Sequence, residues 1–383
     1  MARTDLTAHP AARPRVPADT WRGQRVLVSG HSGFVGSWLT TALLSLGAEV
    51  SGFALNGDRH SRDRDAALTT LGATATTGDV RDFAAVHRAM SARPFDVVFH
   101  LAAQPLVSVG LSEPGTTLAT NVGGSINVLE AARLCPPTVL VHVTSDKCYR
   151  NEGWRRPYRE VDALGAGCPY STSKAAAELV FETYAGLFRA ADRPVRAASV
   201  RFGNIIGGGD HAANRLVPDV MRALRAQQPV RLRRPGAVRP WQHVLDVVAG
   251  LLLLATALAE GSVGPGEVFN FAPPGDGATV HELVTSVVAA WRRSGGPAVP
   301  VLVDEDAWFA EAELLRLDGR KAADALCWTH SFGLEDSARA IVEWDRAVAA
   351  GLPPADAISR QVHGFLIAPV PSPQTGRRKG DHS

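Results

Sequence analysis

The chain has 383 residues, 45% hydrophobic and 20% charged, with a formal net charge of +2. That is an ordinary globular composition, and it gives no reason to expect a nucleic-acid or membrane partner. Cys135, Cys148, Cys168 and Cys327 are too scattered for a disulfide framework or a metal site, so reduced thiols, a cytoplasmic setting and no metal are expected.

Residues 1 to about 20 are rich in Ala, Pro, Arg and Thr, carry no apolar signal core, and read as disordered. Val26 to Ser29 reads as a strand, Val35 to Leu46 as a helix, Glu49 to Leu55 as a second strand and Ala73 to Thr76 as a third. A helix over Ala84 to Ala92, a strand over Asp96 to Leu101 and a helix over Asn121 to Leu134 follow. Val139 to Val143 is an apolar run that reads as a buried strand, a further helix starts near Tyr170, and Val195 to Arg201 is another strand. Leu216 to Leu224 reads as a helix, Arg231, Arg233, Arg234 and Arg239 as a basic stretch, and Glu267 to Asn270 as a strand. Val244 to Leu258 is apolar but broken by Asp246 and Gly250, and too short to span a bilayer; it reads as a buried helix. Strands alternating with helices predict an α/β fold: a doubly wound parallel sheet of Rossmann type with a smaller C-terminal substrate lobe. The expected division is a dinucleotide-binding domain over 21–203, with a returning segment at about 240–271. Residues 204–239 and 272–365 form the substrate lobe, and 371–383 a disordered tail.

Gly30-His31-Ser32-Gly33-Phe34-Val35-Gly36 lies between the first strand and the first helix. Glycines there allow the turn, a close approach to a pyrophosphate, and helix packing on the sheet; the anion sits on free N–H groups at the helix start. The bland alternative is an ordinary tight turn. Gly30, Gly33, Phe34 and Gly36 are thus candidate cofactor contacts. An acidic residue that binds the adenosine ribose belongs near Ala54. Asp58 reaches it only if the strand or loop runs on, and Arg59 could instead face a 2′-phosphate, so the residues leave NAD and NADP both open. Asp79, with Val80, could accept from an adenine amine or could cap a helix.

Thr144-Ser145-Asp146-Lys147 ends the buried strand, and Tyr170 and Lys174 stand four apart on one helix face. A lysine ammonium beside a phenol is expected to lower its pKa, making Tyr170 a base that shares a substrate hydroxyl with Ser145. Tyr-x-x-x-Lys alone is as readily a solvated helix face, and Asp146-Lys147 as readily a surface pair. Together, beside a dinucleotide site, they exceed what hydroxyl oxidation needs and imply a second proton transfer.

These stretches resemble the CDP-glucose 4,6-dehydratases, a subgroup of the NDP-sugar epimerase/dehydratases within the extended short-chain dehydrogenase/reductases. The similarity runs from about 21 to 350. It rests on the glycine loop with Gly36-Ser37-Trp38-Leu39, His100-Leu101-Ala102-Ala103-Gln104-Pro105, Thr144 to Tyr149, and Pro169-Tyr170-Ser171 with Ser173-Lys174. Gly203-Asn204-Ile205-Ile206-Gly207-Gly208-Gly209-Asp210, Arg239-Pro240-Trp241-Gln242-His243-Val244 and Phe269-Asn270-Phe271 extend it. The resemblance implies a tightly held NAD, with Leu101, Ala102, Ala103, Tyr170 and Lys174 among its contacts. It implies a nucleotide-sugar substrate met by Gln104, Asn204 and Arg239, and a homodimer or higher homo-oligomer. Ser145 is then the residue that orients the C4 hydroxyl, Asp146 the acid for the leaving C6 hydroxyl, and Lys147 the C5 base. His211, Phe202 and Arg155-Arg156-Pro157 depart from the pattern at positions expected in the sugar-nucleotide pocket. The rival readings are an NDP-sugar 4-epimerase of the same fold and a non-catalytic dinucleotide-binding module.

Overall fold

A computed structural model describes residues 16–165, 167–303 and 313–367. The expected tail at 371–383 and residues 1–15 lie outside the described residues. At the end of the stretch expected to be disordered, Val16 is buried, and a short helix spans Ala18–Trp21; Trp21, the first residue of the expected domain, is buried with its ring 6.2 Å from Phe99.

The main sheet has seven strands: β1 (Arg25–Ser29), β2 (Glu49–Ala54), β3 (Thr74–Thr77), β4 (Val97–His100), β5 (Val139–Ser145), β6 (Arg196–Phe202) and β7 (Glu267–Phe271). Their order is β7-β6-β5-β4-β1-β2-β3, all parallel, with the reversal of winding between β1 and β4. β4 and β5 read as unbroken apolar runs because both faces are covered by helices. In such sheets ligands sit at the carboxyl ends of the strands, beside the switch point. One core layer carries helix α1 (Phe34–Ser45), a later buried helix over Val244–Glu260, and the C-terminal residues Ala357, Ile358, Val362 and Phe365. The opposite layer is built around Phe181, Phe188, Leu129 and Val128.

A separate cluster joins Val217, Met221 and Leu224 to Leu283, Val287, Trp291 and Ile341, and forms the core of the smaller lobe. Among the described residues three two-stranded pairs stitch that lobe together; one, Asn204–Ile206 with Trp241–His243, carries the sequence stretches after β6 into it. The helix Arg59–Thr70 has no counterpart in the sequence reading. Leu68 is its one buried residue, so no apolar stripe announces it, and only the Asp58 cap marks its start.

Candidate active site

The glycine loop takes the shape the spacing predicts. Gly30 has φ 77°, and a Cβ there would lie 2.8 Å from the Ala102 backbone nitrogen. A Cβ on Gly36 would lie 2.0 Å from the Gly30 carbonyl oxygen. Helix α1 therefore starts hard against the end of β1. Gly33 occupies its N-cap with no side-chain hydrogen bond, which leaves the first N–H groups to an anion. The loop is closed by His31, whose buried ring meets Asp65 at 2.5 Å.

On the adenosine side two open alternatives are narrowed. Asp79 does not cap the helix after it; Asp82 does, while Asp79 is gripped by Arg81, whose hydrogen bonds hold its carboxyl below the usual range. Asp58 caps the helix Arg59–Thr70 through the Ser61 amide at 2.8 Å, and Arg59 points outward, 85% exposed, 3.6 Å from Asp63. Val80 is buried and its carbonyl accepts from Asn127.

At the strand ends a cleft of about 620 Å³ gathers the reacting set: Ser145, Asp146, Lys147, Tyr170 and Lys174 all line it. β5 delivers Ser145, whose hydroxyl accepts the Lys147 amide at 3.2 Å and starts a 3-10 turn over Asp146–Cys148. Helix α2 (Pro169–Ala190) delivers Tyr170 and Lys174. Its N-cap is Cys168, its first residue Pro169. Tyr170 is buried against Gly110.

Burial sets the electrostatics here. It pushes the Tyr170 phenol up to about 12, against the opposing pull of Ser145 and Arg215. It pushes the Lys174 ammonium down to about 8. The expected lowering of the phenol by Lys174 is therefore not what the protein alone shows: desolvation of phenolate exceeds the attraction of nearby cations. Burial also raises the Asp146 carboxyl, in spite of Lys147, Ser145 and Arg239. Ser145 donates to its Oδ1 at 2.9 Å, and its buried Oδ2 has no hydrogen-bond partner. A carboxyl of this kind holds its proton more readily than a free carboxylic acid and has one oxygen left for a ligand.

Asn204 and Arg239 also line the cleft, together with Arg231, Arg233, Arg234 and Arg215. Arg239 is no surface member of a basic run. It is 3% exposed and donates to the carbonyls of Val238 and Glu313. Gln104 is turned away. Its amide donates to Leu106 O and Thr117 Oγ1, its oxygen accepts the Leu106 amide, and it shapes the loop beside the cleft instead of lining it. Leu101 and Ala103 line the cleft, and Ala102 backs Gly30.

Of the three departures, Phe202 faces the cleft and stacks on Phe271. His211 lies outside it, stacked 4.0 Å from His60, and Arg156 covers Trp154 on an exposed loop. Arg215 was missed. It sits at the cleft wall, 3.2 Å from Asp210, among the charges that act on Tyr170; nothing in the sequence separates it from other arginines. The described residues contain no cluster that could hold a metal ion and no helix long and apolar enough to cross a membrane.

Residues 26–272 match the NAD dependent epimerase/dehydratase family. The chain is 36% identical over 354 residues to the CDP-glucose 4,6-dehydratase of Salmonella typhimurium, covering 91% of this chain and 98% of that one. It is 27% identical to UDP-glucose 4-epimerase 1 of Oryza sativa subsp. japonica over 83% of this chain and 94% of that protein. Among solved structures, a dTDP-glucose 4,6-dehydratase from Streptomyces venezuelae with NAD bound superposes with a TM-score of 0.71 at 24% identity, over 87% of this chain and all of that one. A Thermus thermophilus UDP-glucose 4-epimerase in complex with NAD gives 0.67 at 28% identity, over 84% of this chain and 98% of the other.

Proposed function

Since the chain belongs to the NAD dependent epimerase/dehydratase family, we propose that it is a sugar-nucleotide 4,6-dehydratase, a hydro-lyase. Its substrate is CDP-D-glucose, and its products are CDP-4-keto-6-deoxy-D-glucose and water. One observation carries the choice of elimination over epimerisation. Asp146 is a buried carboxyl with a raised pKa and an unpartnered oxygen, set between Ser145 and Lys147 in the same cleft as Tyr170. Exchange of configuration at C4 needs no second acid; loss of the C6 hydroxyl does.

The glycine loop fits a dinucleotide pyrophosphate: a Cβ at Gly30 would strike the Ala102 backbone and one at Gly36 the Gly30 carbonyl, so glycine there lets the loop fold tightly onto the helix start. Gly30, Gly33, Phe34 and Gly36 would hold that pyrophosphate, Asp79 and Val80 the adenine, and Leu101 to Ala103 with Tyr170 and Lys174 the nicotinamide end. NAD suits the site better than NADP, since Arg59 is turned outward toward Asp63. When bound, NAD supplies the acceptor for the C4 hydride and the donor that returns it to C6.

The chain's own residues move the protons. Ser145 holds the C4 hydroxyl and Tyr170 takes its proton. Ser145 and Arg215 ease the phenolate against burial, and Lys174, one turn away on the same helix, serves the nicotinamide end. The C4 ketone acidifies the C5 proton, which Lys147 removes as Asp146 protonates the departing C6 oxygen and water leaves; Lys147 then gives the proton back to C5 as C6 is reduced, and the proton held by Tyr170 makes good the one Asp146 gave. Asn204 and Arg239, which line the cleft, hold the diphosphate through charged and polar hydrogen bonds.

The lobe around Val217, Leu224 and Leu283 serves as the substrate lobe. Ile126, Leu134, Leu179 and Leu187 are exposed apolar residues on helix Gly124–Leu134 and helix α2, which suits a homodimer or higher homo-oligomer. Four free cysteines suit a reducing cytoplasm. A panel of CDP-, dTDP-, GDP- and UDP-hexoses, assayed for the alkaline absorbance of a 4-ketosugar, tests the reading. CDP-glucose is expected to give the strongest response, and an unchanged sugar or a C4 epimer from every donor would refute it.

A further inference from the structure

The turn that carries Ser145, Asp146 and Lys147 is tied at both ends to one buried ion pair. Glu178 lies on helix α2 one turn beyond Lys174 and is 3% exposed; Arg201 lies on β6 and is also 3% exposed. Arg201 donates to Glu178 Oε2 at 2.6 Å. Glu178 Oε1 accepts from Ser199 at 2.7 Å and from the hydroxyl of Thr144, the residue before Ser145. The other arm of Arg201 donates to the Tyr149 hydroxyl at 2.7 Å, just past the Asp146–Cys148 turn, and Tyr149 donates onward to Asn270 at 2.7 Å. The Arg201 guanidinium also lies 4.8 Å over the Tyr149 ring, which stacks at 5.3 Å on Tyr158.

Stability does not explain such a pair. Desolvating two charges offsets most of their attraction, and well-packed apolar residues of the same volume serve as well or better. What apolar residues cannot do is fix the direction of Thr144 and Tyr149 by hydrogen bonds. The Glu178 carboxylate also supports the charged form of Lys174 against burial.

We propose that the Glu178–Arg201 pair is the positioning support of the catalytic turn, holding Thr144 on one side and Tyr149 on the other so that Ser145 and Asp146 face the cleft. Neither residue lines the cleft, so both act through others. The kinetic part of this inference rests on the dehydratase reading; the structural part does not.

Three variants of the full-length protein test it: Glu178→Gln, Thr144→Val and Thr144→Ser. Hydrogen exchange of amides 144–149, read by mass spectrometry, reports the turn without any substrate. Glu178→Gln and Thr144→Val are expected to speed that exchange roughly 10-fold or more while the β1 and β2 amides keep wild-type protection. With CDP-glucose, kcat is expected to fall roughly 10- to 100-fold with KM within about 2-fold, because a small misplacement of reacting groups costs rate and not binding. Thr144→Ser keeps the hydroxyl and should restore both readouts. If Glu178→Gln fails to fold, Thr144→Val, which leaves the ion pair intact, decides alone. Folded variants with wild-type exchange in 144–149 would overturn the proposal whatever the substrate. Faster exchange with wild-type kcat would overturn its catalytic part. If exchange rises but the unmutated protein does not turn over CDP-glucose, the positioning stands and the dehydratase reading fails.

Discussion

The two ends of the cleft are built differently. At the reacting end Asp146, Tyr170 and Lys174 are buried, and burial moves the proton affinity of each. At the other end Arg231 and Arg233 are exposed to solvent, and only Arg239 is buried. Desolvated groups make energies that change as charge develops, whereas exposed cations hold an anion equally well before and during reaction. The first end should therefore govern kcat, and the second KM.

The largest effect expected is at the base. Tyr170→Phe should lower turnover roughly 100- to 10,000-fold, the range for one positioned acid–base group. It should cost only about 1 kcal/mol of stability. Reduced-nicotinamide absorbance on adding substrate checks the first and thermal melting the second. Substantial turnover in the variant would remove Tyr170 from the site.

Asp146→Asn sharpens the comparison within the reacting end. C4 oxidation uses Ser145 and Tyr170 and should survive, so reduced nicotinamide should accumulate while 4-keto-6-deoxy product falls roughly 100-fold or more. A 6-fluoro substrate, with a leaving group that needs less protonation, should recover part of the rate. Equal loss with both substrates would mean that Asp146 does not deliver that proton.

Arg239→Ala probes the nucleotide end. Loss of charged hydrogen bonds to the diphosphate should raise KM roughly 10-fold or more with a smaller change in kcat. Its influence on Asp146 makes a modest kcat effect expected. A fall in kcat alone would put Arg239 beside the reacting carbons and reverse the substrate's orientation.

Much of this was legible in the sequence, for physical reasons. The buried strands are apolar runs, the glycine loop is forced by backbone contacts, and Tyr170 and Lys174 are fixed to one face by helical spacing. The illegible parts depend on partners distant in sequence. Gln104 looks like a substrate contact until Thr117 is seen to occupy its amide. Arg239 reads equally as a diphosphate contact and as a surface member of a basic run, until an isolated bridge of Val238 to Leu314 brings Glu313 beside it and buries it. The helix Arg59–Thr70 hides because it buries only Leu68. The rise of the Tyr170 pKa follows from burial, which no spacing reveals.

A smaller effect comes from the sheet's centre. His142 is buried between Ser125 and Phe181, and burial pushes its imidazole down to about 3. Its pKa is thus lower folded than unfolded, near 6.5, so the unfolded chain binds the proton first. Stability from keeping His142 neutral is complete above about pH 6.5 and is lost as pH falls toward 3. Melting temperature should drop over that window, and less so in His142→Gln; identical acid profiles would exclude His142 as a source.

The most direct measurement follows one deuterium. CDP-glucose labelled at C4 is incubated with the purified protein and catalytic NAD, and the product is read by mass spectrometry and NMR. Loss of one water, with the label at C6 of a 4-keto-6-deoxy sugar and no net NADH, is expected. An unchanged mass with label still at C4 of an epimer, or NADH formed in step with substrate consumed, would contradict it.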